Sequence, residues 1–236
     1  MKEHERLATK IFNKYGLDFK TATRAGGWTN AVWLNGKLAL RVSFKKGSDR
    51  IRREVSLSEY LPEIVGYPVN IEVGLMDGYE WSLSKRIQGK NLSEIWSNLN
   101  WKKRGEIIEQ ITRMIEQLHK VDVYKIENLS CEKAWYTSFN PQETSSCLER
   151  YKDYKVFSSE QIDVFHDILE RFWEKHNSAM KVLNHGDITM DNMLWANDKI
   201  LSLMDFEFSV IAPSELDLHA LINLAFFSDE GSLESN

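Results

Sequence analysis

His185-Gly186-Asp187-Ile188-Thr189-Met190-Asp191-Asn192, with Asp205-Phe206-Glu207 beyond it, is the stretch whose reading decides the fold of this chain. Between the two pieces, Met193-Leu194-Trp195 and the run 200–204 flank Asn197-Asp198. Two apolar runs around such a pair read as a β-hairpin, because Asn and Asp tolerate the positive φ of a tight turn. A hairpin brings its ends together, so Asn192 and Asp205 are expected side by side at its open end. Val182-Leu183 sits just upstream, which makes 185–192 a loop beside that end. Asp187, Asn192 and Asp205 then converge. Phosphoryl transfer demands positioning more than covalent chemistry. Asp187 suits the carboxylate that orients an acceptor hydroxyl and takes its proton. Asn192 and Asp205 suit the hard oxygen ligands that hold magnesium against phosphates.

Upstream, the pattern changes at Gly89. Before it, Asn35-Gly36 lies between 31–34 and 38–42, and Asp77-Gly78 lies between 69–75 and 79–87, which predicts two hairpins. The segment 48–61 between them is charged, permits a helix and is stopped by Pro62. A further strand is expected near 21–25. The first part therefore reads as a small antiparallel sheet with one helix. After Gly89, Ile107, Ile111, Met114, Ile115 and Leu118 form one helical stripe, and Ile162, Phe165, Leu169, Phe172 and Trp173 form another. Both stripes read as helix packing. The expected division is an N-terminal lobe over 1–88 and a helical C-terminal lobe over 89–236, with a fraying polar tail over 228–236.

Composition narrows the field. The chain has 236 residues, 42% hydrophobic and 28% charged, enough to bury a core. Its 30 basic and 35 acidic residues leave a net charge of -5, which argues against a protein built to hold nucleic acid. Cys131 and Cys147 stand apart from each other and from any His cluster, so neither a disulfide framework nor a zinc site is expected. No apolar run follows the first residues, and none approaches a membrane span. The expected setting is the cytoplasm, with no membrane partner.

The ordered motifs resemble the aminoglycoside phosphotransferase and choline kinase family, small-molecule kinases of the protein-kinase-like fold. His-x-Asp-x-x-x-x-Asn followed by an Asp after the next hairpin is similar to the kinase catalytic loop and metal aspartate. Gly186, where protein kinases carry Arg, and Pro213-Ser214-Glu215-Leu216-Asp217-Leu218 are similar to the small-molecule group. Upstream, the segment 26–32, with Gly26, Gly27 and Asn30, resembles the nucleotide loop. The strand 38–42 resembles the one that carries the phosphate-binding cation, here Arg41. Glu54 sits where that cation's helix partner belongs. The segment 83–89 resembles the hinge, with Lys85 and Ile87 backbone reading the base and Ser84 behind it. Leu118-His119 resembles the end of the long helix. Taken singly, Arg41 and Glu54 read as solvated charges and the glycine pair as a turn. His119 and His185 read as structural histidines, Asp191 as loop chemistry and Asp217 as a brace for the catalytic loop. Glu207 reads either as a neighbour of the metal or as an exposed side chain.

The resemblance implies an α+β, bilobal fold and a Mg2+-dependent transfer from ATP or GTP to a small-molecule hydroxyl, by a monomer or dimer. The leading acceptor is a cationic aminoglycoside-like compound. Acidic Glu127, Glu132, Glu143, Glu149, Glu215, Asp229 and Glu230 fit it. Trp135, Tyr136 and Trp173 fit a quaternary ammonium instead, as in a choline or ethanolamine kinase. A non-catalytic nucleotide-binding module and a metallohydrolase using His185 and Asp187 are the alternatives from other classes. A protein kinase is not expected: the Gly-x-Gly-x-x-Gly loop and Ala-Pro-Glu are missing, and 205–217 is too short for an activation loop.

Overall fold

The computed structural model describes residues 3–129 and 141–227. Helix α1 (Glu3–Lys14) comes first, then strands β1 (Thr23–Ala25), β2 (Asn30–Asn35) and β3 (Leu38–Ser43). Helix α2 (Arg50–Leu57) precedes β4 (Asn70–Met76) and β5 (Tyr79–Lys85). The five strands form an antiparallel sheet in the order β1-β2-β3-β5-β4. The β4–β5 turn has the expected residues, Asp77 at φ 52 and Gly78 at φ 85. The β2–β3 turn is displaced by one residue from expectation. Asn35 pairs with Leu38 as the last strand residue, and Gly36, at φ 56, takes the first turn position. The Asn35 amide is buried and donates to the Asp18 carbonyl at 3.0 Å and Thr21 Oγ1 at 3.1 Å, so it serves packing and not the turn.

The sheet carries a second helix that was not expected, α1, closed by Gly16 at φ 70, whose N–H donates to the Asn13 carbonyl at 3.0 Å. Leu7, Ala8, Ile11 and Phe12 of α1 are buried in one cluster with Trp33, Leu40, Val42, Trp81 and Leu83. Their i, i+1, i+4, i+5 spacing makes a single apolar face. Three large side chains removed from water, at about 1.5–3 kcal/mol each, with Ala8 beside them, hold this helix to the sheet. Between β1 and β2, Trp28 projects into solvent, 99% exposed.

The second part begins with β6 (Lys90–Asn91), α3 (Ser93–Trp96) and α4 (Trp101–Leu118). Asn100 caps α4 by accepting the Lys103 N–H at 2.9 Å, and all five stripe residues of α4 are buried. Helices α5 (Pro141–Asp153) and α6 (Ser159–Ser178) follow, the latter opened by a Ser158–Gln161 capping box. The α6 stripe is only partly used: Ile162 is buried, Phe165, Leu169 and Trp173 are half-buried, and Phe172 is exposed. Its expected packing role is therefore corrected at Phe172, because α6 lies on the rim and packs chiefly against α5.

Strand β7 (Lys181–Asn184), the hairpin β8 (Met193–Ala196) and β9 (Lys199–Leu203), and β10 (Val210–Pro213) complete the strands, and α7 (Glu215–Phe227) follows. Strand β7 pairs with β10, and β6 joins β8 and β9. The β8–β9 turn has Asn197 at φ 51 and Asp198 at φ 62, the two positive values that such a hairpin requires. The second core gathers Ile107, Ile111, Leu118, Leu183, Met193 and Leu203 and extends to Leu57 at the end of α2 and Val65 beyond it. Among the described residues no helix is long and apolar enough to cross a membrane.

Candidate active site

The β8–β9 hairpin does what its turn implies. The Met204 N–H donates to the Asn192 carbonyl at 2.8 Å, so the residues before β8 and after β9 meet. The Asn192 side-chain amide donates to the Asp187 carbonyl at 2.9 Å and to Asp187 Oδ2 at 3.0 Å. With Nδ2 turned to Asp187, Asn192 keeps Oδ1 as its free type of ligand atom. Asp205 follows at φ 65 and ψ 61. That left-handed conformation costs a non-glycine residue about 1–2 kcal/mol and persists only where neighbours impose it. Here Phe206 is fully buried, its ring 4.4 Å from His185 and 5.9 Å from Tyr67, and its N–H donates to Glu54 Oε1 at 3.2 Å.

His185 and Asp217 hold the loop from behind. His185 Nε2 lies 2.8 Å from the Met204 carbonyl, and the Asp187 N–H points to Nδ1 at 3.2 Å. A carbonyl only accepts, so Nε2 carries the proton and the ring is neutral. Burial agrees, since it holds the His185 pKa below its ordinary 6.5 against the pull of Asp217. Asp217 is 1% exposed and accepts the N–H groups of His185 at 2.8 Å and Gly186 at 3.2 Å; His119 Nε2 lies 3.3 Å away. Gly186 sits at φ 81, where a side chain is disfavoured. His119, His185 and Asp217 are thus structural supports.

From the sheet, Arg41 on β3 meets Glu54 on α2 in a fork, NH2–Oε2 2.6 Å and NH1–Oε1 3.3 Å. Such paired charged hydrogen bonds are about twice as strong as neutral ones. Glu54 also accepts the Tyr67 hydroxyl at 2.8 Å. Burial alone would lower the Arg41 pKa, but Glu54, Tyr67 and Asp205 together raise it. Arg41 NH1 lies 3.8 Å from Asp205 Oδ1. Burial, with Glu54, Glu207 and Asp187 nearby and Arg41 opposing, pushes Asp205 up to about 7. The pocket therefore holds more negative charge than Arg41 balances.

Sequence reasoning placed Arg41, Glu54, Asp187, Asn192 and Asp205 here, and the structure brings them together. It also settles Glu207, which is 1% exposed, so the exposed reading is wrong. Glu207 Oε2 lies 3.4 Å from the Asn30 amide, which ties the 26–29 loop to this site, and Oε1 lies 3.7 Å from Arg50 NH1. A Cβ on Gly27 would fall 2.3 Å from the Asn30 carbonyl, whereas Gly26 has open space. At the expected hinge, Ser84 is half-buried on β5. The Lys85 N–H is bonded to the Val69 carbonyl at 2.9 Å, and Ile87, just beyond β5, is half-buried. Asp191 accepts the Ser93 hydroxyl at 2.5 Å, which is loop chemistry. Tyr67 was not foreseen, since Gly66-Tyr67-Pro68 has no local signature. Glu132, Trp135, Tyr136, Asp229 and Glu230, and the tail 228–236, lie outside the described residues. Among the described residues no cluster of three or more His, Cys, Asp or Glu is placed to hold a metal.

A family model described as the phosphotransferase enzyme family matches residues 20–234. No curated protein matches the sequence. Among solved structures, the GDP complex of wild-type aminoglycoside 2'-phosphotransferase-IIIa is similar, with TM-score 0.69 and 16% identity over 99% of this chain and 84% of that one. The GDP and kanamycin complex of APH(2")-IIia has TM-score 0.69 and 17% identity over 95% and 80%. APH(4)-Ia with ADP and hygromycin B has TM-score 0.60 and 13% identity over 89% and 74%. The fold is thus the bilobal, α+β protein-kinase-like one. The chain belongs to the phosphotransferase enzyme family, as a small-molecule phosphotransferase with an alcohol group as acceptor.

Proposed function

We propose that this enzyme moves the γ-phosphoryl group of ATP or GTP to a hydroxyl of a cationic, aminoglycoside-like compound. The nucleotide lies between lobes 1–88 and 89–236. The observation that carries the reading is the convergence of Asp187, Asn192 and Asp205 beneath the Arg41–Glu54 fork. Asp187 orients the acceptor hydroxyl and takes its proton, with its carboxylate steadied by the Asn192 amide. Arg41 binds the α- and β-phosphates and is aimed by Glu54. Gly26, Gly27 and Asn30 bring backbone close to the phosphates. The Lys85 carbonyl and Ile87 N–H read the base, with Ser84 behind it.

The site's chemistry fits Mg2+. Asp205 Oδ1 and Glu207 Oε1 are buried oxygens without hydrogen-bond partners among the described residues. One carboxylate and one amide are few for an all-protein cage, but Mg2+ usually keeps water and substrate phosphates as its other ligands. Asn192 and Asp205 would hold the ion. When bound, it neutralises charge on the β- and γ-phosphates.

The bound kanamycin and hygromycin B of the similar structures support the acceptor class. In this chain exposed Glu127, Glu149 and Glu215 lie in the helical lobe that builds the acceptor side. An enzyme using ATP or GTP with magnesium also suits the cytoplasm. The test is nucleoside diphosphate release with Mg2+ and ATP or GTP, against separate pools of aminoglycosides, choline, ethanolamine and sugars. Turnover with the aminoglycoside pool is expected. Asp187→Ala should lower kcat roughly 10²–10⁴-fold and keep nucleotide affinity. Asp205→Ala should lose the magnesium-dependent part of that affinity. Near-normal turnover in Asp187→Ala would sink the assignment. Turnover with the choline pool would replace the acceptor, and nucleotide binding without any product would point to a non-catalytic module.

A further inference from the structure

The face of α2 that carries Glu54 grips the turn after Asp205 at three successive residues. Glu54 accepts the Phe206 N–H at 3.2 Å. Arg53 donates through NH2 to the Glu207 carbonyl. Arg50 stacks over Phe208, 5.1 Å from its ring centre, and its NH1 lies 3.7 Å from the Glu207 carboxylate. Positions 50, 53 and 54 share one face of a helix. Arg53 does more than its neighbours. Its NH1 donates to the Leu129 carbonyl at 3.2 Å, at the end of the 3-10 turn Glu127–Leu129 that follows α4. One half-buried guanidinium thus joins a helix of the nucleotide lobe to two separate carbonyls of the helical lobe.

From this geometry we infer that Arg53 is a positioning residue. It holds the lobes in the register at which Glu54 reaches Arg41 and the Phe206 N–H together, and it keeps Asp205 in its left-handed, site-facing conformation. Two carbonyls at fixed positions call for two donors in one rigid plane. A guanidinium supplies them on two separate nitrogens, whereas the ammonium of Lys carries its donors on one nitrogen with no fixed plane. The family's expected machinery does not use Arg53. The inference rests on the proposed phosphoryl transfer for its kinetic consequence only.

The test uses the full chain. Arg53→Ala is expected to lower kcat roughly tenfold or more while nucleotide Kd changes less than about threefold, the split that marks lost alignment. Arg53→Lys should fall between, and it also covers the case in which Arg53→Ala does not fold. A second readout needs no turnover. Spin labels on Lys20→Cys and Glu170→Cys, in a Cys131→Ser, Cys147→Ser background, report the distance between lobes. That distribution should broaden in Arg53→Lys and further in Arg53→Ala, and narrow again on adding nucleotide. A variant with lower Tm but unchanged kcat and an unchanged distribution would overturn the inference, because Arg53 would then be structural only. A silent wild type would fail the functional reading instead, and the label distances would still decide the role of Arg53.

Discussion

His185 shows how one side chain limits the conditions under which the site survives. Its ring is buried, neutral and bonded on both nitrogens. The unfolded chain binds a proton there below about 6.5, and the native chain does not until a lower pH. Stability is therefore full above 6.5 and falls as pH drops through that value, since the unfolded state then binds more protons. Asp205, pushed up to about 7, takes up a proton in the native state over the same range and acts with the opposite sign. The His185 contribution is therefore read as a difference: between pH 7.5 and 5.5 the wild type should lose more melting temperature, or gain less, than His185→Asn. Equal changes in the two would mean that the ring titrates alike in both states. Asp187, Asn192 and Asp205 were legible in sequence, because fixed spacing and a hairpin turn dictate where they go, whereas Arg41 was placed only by the resemblance. Glu207 was not, since an isolated carboxylate normally stays in water, and only the folded neighbours Asn30 and Arg50 account for its burial.

At the level of elements, hairpins were easy to read and α1 was not. Asp77-Gly78 and Asn197-Asp198 need positive φ, a demand written in residue type. Helix α1 is closed by Gly16 at φ 70, but a lone glycine reads equally as a turn, and the short apolar face before it gains meaning only against Trp33 and Trp81. The one-residue displacement at Asn35 has a similar cause, because its amide bonds to Asp18 and Thr21, which are remote in sequence from the turn. The loop between β1 and β2 separates two glycines that look alike in sequence. A Cβ at Gly27 meets backbone at 2.3 Å, so Gly27→Ala should displace the loop and raise the nucleotide KM roughly tenfold, about 1.4 kcal/mol. Gly26→Ala meets nothing within 4 Å and should leave the melting temperature unchanged. Equal effects from both would show that the loop does not use that close approach.

For the whole molecule, the question is how two lobes with separate cores keep one geometry. Gly66, after α2, takes φ 64, and a Cβ there would lie 2.0 Å from the Leu201 carbonyl on β9. Backbone of the first part thus rests directly on backbone of the second. Gly66→Ala faces both an unfavourable φ and a collision, a cost of about 2–3 kcal/mol. For a chain of this size that should lower Tm by about 5–10 °C. A fall of a degree or less would show that the contact yields easily. Neither Gly66 nor Arg53 was legible as a bridge, because a contact across 135 or 154 positions leaves no local pattern.

Trp28 stands on the loop between β1 and β2, 99% exposed to water. Indole emission moves toward the blue when water leaves its surroundings, so the loop carries its own optical gauge. Replacing Trp28 with Phe should remove the reddest part of the spectrum. If nucleotide draws that loop inward, the lost component is the one that shifts. Closure could then be timed in a stopped-flow cell on unlabelled protein, before any acceptor has been identified.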